Sequence, residues 1–261
     1  MIYTCYEMIT DCRAGRADGW TYFIRNYVPV VRRLLAHYFP ERADVESAVE
    51  RVLVGLHEPR AGLFQMIDPA PERAFVAELR QHAIAAEGNH QAGAAPDVSI
   101  GLEELTTALD SLTLTERLVV WFETMRYDST DTSRMLRMSA PTVDAIRVRA
   151  GELVRGSMDS WRSSLLTDNG AELGRQAAEQ HGKDCPPAKV FFDVIDGRAT
   201  WLGREEMERH VRNCWYCVDH YCRLLEVVDV LRAAQPLGEA EILKYQLRLG
   251  IQPAKRSFWR R

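Results

Sequence analysis

Apolar residues recur at intervals of three and four along most of the chain, as in YFIRNYVPVVRRLLAHYF (22–39), VESAVERVLVGL (45–56) and RAFVAELRQHAIAA (73–86). That period sets them on one face of a helix, and the alternation of a half-buried strand is sparse. The pattern predicts an all-α fold. It lapses twice, in AAEGNHQAGAAPDVSIG (85–101) and more weakly in LTDNGAELGRQAAEQHGKD (166–184). Read as linkers over 87–100 and 164–182, these lapses divide three small helical modules at 1–86, 101–163 and 183–250, followed by a basic aromatic tail at 251–261.

Within the middle module the polar positions carry further information. Thr113 or Thr115 can cap one helix, and Ser129 or Thr130 a short second one that carries Met135 and Leu136. After a turn, Ser139 can cap a third helix whose second residue is Pro141. Along that helix Val143, Ile146, Ala150 and Leu153 share a stripe, which leaves Thr142, Asp144, Ala145, Arg147 and Arg149 to face outward beside Ser139. A short helix, a tight turn and a second helix with a polar start is the layout of a helix-turn-helix.

Composition narrows the setting. The chain has 261 residues, 46% of them hydrophobic and 27% charged, as expected of a water-soluble protein. No apolar run approaches the roughly 20 residues of a membrane span, and the first residues lack the basic start and apolar core of a signal peptide. A cytoplasmic protein without membrane contact is expected. The net charge of −4 exerts no global pull on nucleic acid, so any DNA contact has to be local. Between Arg134 and Arg162 six arginines face three acids, whereas residues 1–100 hold ten arginines and thirteen acids. The middle module can hold phosphates, weakly; the first is disfavoured from doing so.

The densest chemistry is in ERHVRNCWYCVDHYC (208–222). If this stretch is one helix, His210, Cys214 and Cys217 project from one stripe, continued by Tyr221, Leu224, Val228 and Leu231. An imidazole and two thiolates at that spacing suit tetrahedral Zn(II). The fourth donor has four candidates: His181, Cys185, His220 and Cys222. His220 and Cys222 lie off the stripe, whereas Cys185, upstream of Pro186, Pro187 and a short helix AKVFFDVIDG, would crosslink two elements as a structural zinc does. The expectation is one structural Zn(II) per chain, held by Cys185, His210, Cys214 and Cys217. Cys222 is a candidate resolving thiol for redox chemistry. Cys5 and Cys12, and His37, His57, His82 and His90, read as structural. No nucleophile–base pair, paired carboxylate or phosphate loop is evident, so no enzyme is expected.

Three segments carry a resemblance. Ser139, Thr142-Val143 and RVRAGELVR (147–155) resemble region 4 of the extracytoplasmic-function sigma factors of bacteria, although LuxR-type regulators share the LTxTER start and the Ser-x-x-Thr-Val turn. Tyr27, Pro29, Val31, Ala43-Asp44, Phe75 and Leu79 resemble region 2 of the same factors. There the chain departs from the family: the acidic cluster after Asp44 is reduced to VES, and Glu78 followed by AAEGNHQ stands where a tryptophan and basic melting run belong. The strongest likeness joins Cys185, Asp196-Gly197, GREEMER and His-x3-Cys-x2-Cys to the zinc-binding anti-sigma domain. The resemblance implies a transcription regulator that binds core RNA polymerase and a −35-type promoter element, the latter through Ser139, Thr142, Asp144, Ala145, Arg147 and Arg149. It also implies restraint, by an intramolecular contact between sigma-like and zinc modules or by a sigma/anti-sigma partner. The rival expectations are a sigma-derived protein-binding scaffold and a helix-turn-helix repressor, neither of which initiates transcription.

Overall fold

The computed structural model describes residues 3–40, 44–58, 63–66, 70–88, 100–157 and 165–252. Most of the linker at 87–100, nearly all of the basic tail, Ala43, His90, Asp159 and Arg162 lie outside them. The described residues are all-α, and no described helix is long and apolar enough to cross a membrane. They group into two compact units: 1–92 with 227–261, and 93–226. The chain is thus partitioned along lines the three sequence modules do not follow, because the end of the ligand-bearing segment returns to the first unit.

The first unit contains α1 (Cys5–Arg13), α2 (Ala17–Tyr38), α3 (Val45–His57), α4 (Leu63–Met66) and α5 (Glu72–Gly88). Thr4 and Glu7 form a capping box at the start of α1, and the Asp44 carboxylate accepts from the Ser47 amide at the start of α3. The long α2 is buried at Trp20, Phe23, Ile24, Tyr27, Val31 and Leu34, the period of three and four that predicted it. Its rings pack edge-on: Phe23 to Phe64 at 5.2 Å and Tyr27 to Phe75 at 5.2 Å between centroids. Cys5 and Cys12 are buried in this core, in agreement with a structural reading.

α1 and α2 approach so closely that a Cβ on Gly19 would lie 2.6 Å from the Asp11 Cβ and 2.7 Å from the Cys12 amide nitrogen. Backbone cannot yield as a side-chain tip does. Gly19→Ala is therefore expected to destabilise the chain by about 1–3 kcal/mol, despite alanine's better helix propensity. Urea denaturation checks it, and a neutral or stabilising result would show that α1 is free to move away.

The second unit contains α6 (Leu102–Ala108), α7 (Leu114–Thr124), α8 (Ser129–Leu136), α9 (Ala140–Ser157), α10 (Leu165–Asp168), α11 (Gly170–Glu179), α12 (Ala188–Ile195), α13 (Trp201–Val211) and the first part of α14 (Trp215–Ala233). Thr113 caps α7 in a capping box with Glu116. Asp128, rather than Ser129 or Thr130, caps α8, its carboxylate accepting from the Asp131 amide at 2.7 Å. α8 ends on Arg137 in the left-handed region, and Ser139 Oγ accepts from the Thr142 amide at 3.2 Å at the start of α9. α8 and α9 are thus two packed helices joined by a short turn.

The expected linker at 164–182 is instead largely helical. Leu165, Leu166, Leu173 and Ala177 are buried, with α10 and α11 packed on α7 and α11 also on α6. Gly170 allows this closeness, since a Cβ there would fall 2.0 Å from the Thr124 carbonyl oxygen. The polar and glycine content that suggested a linker is the outer face and contact point of packed helices. The remaining helix, α15 (Glu239–Arg248), belongs to the first unit.

Candidate metal centre

The chain breaks between α13 and α14, so His210, Cys214 and Cys217 do not ride on one helix. α13 stops at Val211; the Asn213 amide donates to the His210 carbonyl at 3.0 Å and the Cys214 amide to the Val211 carbonyl at 3.3 Å. Cys214 then leads into α14, its carbonyl accepting from the Val218 amide at 3.0 Å. The physical reason is the exposed polar pair Arg212-Asn213, which gives the chain nothing to bury where a continuous helix would need it. The corner brings the three donors together across two helix ends, so the spacing was informative although the continuous helix assumed for it is absent.

Cys185 completes the group from the turn before α12. Its sulfur lies 3.9 Å from that of Cys214 and accepts from the Gly182 amide at 3.4 Å. One donor atom from each of Cys185, His210, Cys214 and Cys217 lies within 4.8 Å of the others, and the group could hold a metal ion. Sulfurs on a tetrahedral cation with metal–sulfur bonds of about 2.3 Å stand about 3.8 Å apart, so the Cys185–Cys214 separation is that of shared coordination. His210 supplies an independent sign: its Nε2 is buried with no hydrogen-bond partner among the described residues. A buried imidazole nitrogen left without a partner is costly unless something electrophilic occupies the space before it.

Electrostatics point the same way. Burial pushes the Cys214 and Cys217 thiols up from their ordinary range; hydrogen bonds with Cys217 offset part of the rise at Cys214, whereas Cys214 and Cys185 add to it at Cys217. Packed this closely without a cation, such thiols hold their protons; a bound metal ion would displace them.

The other sequence candidates lie elsewhere. His220 is outside the donor group, packed edge-on to Phe191 at 5.2 Å and stacked on Tyr216 at 5.7 Å, with burial holding its pKa down. His181 lies against Tyr216, ring centroids 4.3 Å apart. Cys222 is fully buried, and its thiol donates to the Leu118 carbonyl of α7 at 3.8 Å. It is not one of the four clustered donors, and its burial away from solvent gives no support to a resolving role. None of the six cysteines is in a disulfide.

On α9, Val143, Ala150 and Val154 are buried, while Ser139, Thr142, Asp144, Ala145 and Arg149 are exposed as expected. Arg147 is the exception to the outward face. Its Nη2 donates to the Tyr127 carbonyl at 2.5 Å and to Thr132 Oγ1 at 3.3 Å, and its Nη1 to Ser129 Oγ at 3.2 Å. Its guanidinium therefore staples α9 to α8. Arg149 pairs with Glu116 at 2.6 Å but stays exposed.

Sequence reasoning missed the polar bonds that seat α14 on α7. Trp121 Nε1 donates to Asp219 Oδ1 at 3.0 Å, Arg223 pairs with the same carboxylate at 2.8 Å, and Tyr127 donates to Glu226. The signal was present: Asp219 and Glu226 stand seven apart, two helical turns, and so share one face of α14. The chain matches no protein family, no curated protein and no solved structure.

Proposed function

We propose that the chain is a transcription regulator derived from an extracytoplasmic-function sigma factor and held in check by its own C-terminal segment, with Zn(II) as a structural ion. Three thiolates and one imidazole suit zinc's preference for sulfur and nitrogen, and four protein donors leave no open position for catalysis. Bound there, zinc would tie the turn before α12 to the ends of α13 and α14. The exposed face of α9, with Ser139, Thr142, Asp144, Ala145 and Arg149, is the surface offered to promoter DNA; Arg147 is withdrawn from it.

The observation that carries the reading is the return of the C-terminal segment to the N-terminal helices. α15 packs on α2, with Leu237, Ile242, Tyr245 and Ile251 entering the core of the first unit. In the sigma reading α2 belongs to the polymerase-binding module, so α15 occupies surface that a partner would need. A tethered segment acts at an effective concentration of order millimolar, and a modest interface is enough for restraint.

Affinity capture on core RNA polymerase tests this with the full chain and with Glu241→Arg, which repels Arg32. The variant is expected to be retained more strongly than the wild type. Retention of neither discards the sigma reading, and equal retention of both removes self-restraint while keeping polymerase as partner. A scaffold that binds protein without starting transcription is favoured by one observation, the commitment of Arg147 to the interior of its own unit.

A further inference from the structure

The contact between α15 and the first unit has an order along the helix. Just before α15, the Leu237 amide donates to the Arg25 carbonyl at 2.9 Å. That carbonyl is available in the middle of α2 because Pro29, four residues on, has no N–H to give it. In the first turn Glu239 pairs with Arg25, and Glu241 lies 3.5 Å from Arg32. Next come the apolar anchors Ile242 and Tyr245, with Gln246 Nε2 donating to Thr21 Oγ1 at 2.7 Å. Tyr245 donates to Glu46 of α3 and accepts from Arg32 Nη2 at 3.2 Å. At the far end Arg248 pairs with Glu50 of α3. The acidic end of the helix thus meets arginines of α2 and the basic end meets Glu50 of α3, a polarity that the helix dipole reinforces.

Several features of α15 weaken its hold. It has ten residues, too few for a stable isolated helix, and follows a non-helical segment at 234–238 that contains Pro236 and Gly238. Leu243 and Leu247 on its outer face are 44% and 65% exposed. The ion pairs along its edges are largely solvent-exposed and therefore weak.

We propose that this face of α2 and α3 is a docking site for a helix of a partner protein, and that α15 is its built-in competitor. The partner helix has an acidic first turn, an aliphatic and an aromatic anchor three residues apart, a basic last turn, and a backbone N–H ahead of the helix for the Arg25 carbonyl. The inference rests on the restraint part of the functional proposal and is independent of polymerase and promoter. A chain that never binds polymerase can still carry this site.

Two measurements on the full chain test it. In the wild type, hydrogen exchange should show α15 amides at least about tenfold less protected than the core of α2, the signature of local opening. Pro29→Ala supplies an N–H that competes for the Arg25 carbonyl, and should lower α15 protection further without lowering that of α2. Uniform protection across both helices would overturn the proposal, whatever the variants do. The second measurement uses a labelled peptide of residues 236–252. It should bind the Glu239→Arg/Glu241→Arg chain at least about tenfold more tightly than the wild type, and Arg32→Glu added to that chain should abolish the gain. Equal binding to wild type and variant sinks the competitor. Dimerisation of the variant through exchanged α15 helices would assign the site to a second copy and overturn the claim of a partner protein.

Discussion

Cys214→Ser is expected to leave the purified chain without its metal ion and to lower its melting temperature by roughly 10 °C. The size follows from how little else holds the ligand-bearing helices. α12 buries Phe191 alone, and α13 buries Met207 and Val211. Trp201 and Leu202, at the start of α13, face solvent. Two short helices with three buried apolar side chains between them do little to offset the entropy of ordering them, and a metal ion bound by the four donors would supply the difference. Zinc contributes roughly 10–16 kcal/mol in small zinc-dependent peptides. In a larger unit that keeps part of its packing, a loss of at least about 3 kcal/mol is expected, and 1 kcal/mol corresponds to about 2–4 °C for a protein of this size. Metal analysis should give one ion per wild-type chain and a small fraction of that in the variant. Because the thiols hold their protons without a cation, metal content should also fall as pH drops below neutral. Wild-type protein purified under reducing conditions without metal would refute the site.

The second large effect is expected at Trp121. This side chain is fully buried, stacks on Trp215 with centroids 5.3 Å apart and planes at 29°, and donates to the buried Asp219. Trp121→Ala removes the ring stacked on Trp215 and takes a donor from a carboxylate that has little access to water. A cost of about 3–5 kcal/mol is expected from urea denaturation. Trp121→Phe keeps most of the ring and should cost about 1–2 kcal/mol, mainly the lost N–H. The metal ligands are untouched, so metal content should remain at one per chain under native conditions in both variants. A Trp121→Ala chain within 1 kcal/mol of wild type would mean that α14 is not seated on α7 by this pair.

How much of this was legible in the sequence differs by element. Helices with a wide apolar stripe, such as α2, were readable because period and burial coincide. α10 and α11 were not, since Asn169, Gly170 and Gly174 look like loop residues until a neighbouring backbone is known to lie against them. The four residues expected as metal donors do lie together, because thiolate and imidazole chemistry constrains spacing more tightly than helix continuity does. The break at Arg212–Cys214 was missed for the same reason, as i, i+4 and i+3 spacing serves a helix and a helix corner alike. Arg147 could not be placed, because an arginine on a polar face looks the same whether it meets solvent or the Tyr127 carbonyl. The pairing of Arg25 with Glu239 leaves no local mark, since its partners are more than 200 residues apart.

The first unit is assembled from two stretches of chain with residues 93–226 between them. During synthesis its N-terminal helices emerge first and wait while that intervening stretch is made, on the order of ten seconds at ordinary elongation rates. Over that interval the α2 surface later covered by α15 is open, with the Arg25 carbonyl and the sockets of Ile242 and Tyr245 unfilled. If this surface docks a partner helix as proposed, a nascent chain would be competent to bind before α15 could cover it. A partner present at the ribosome would meet the site without having to displace anything, and the outcome would be decided by timing instead of affinity.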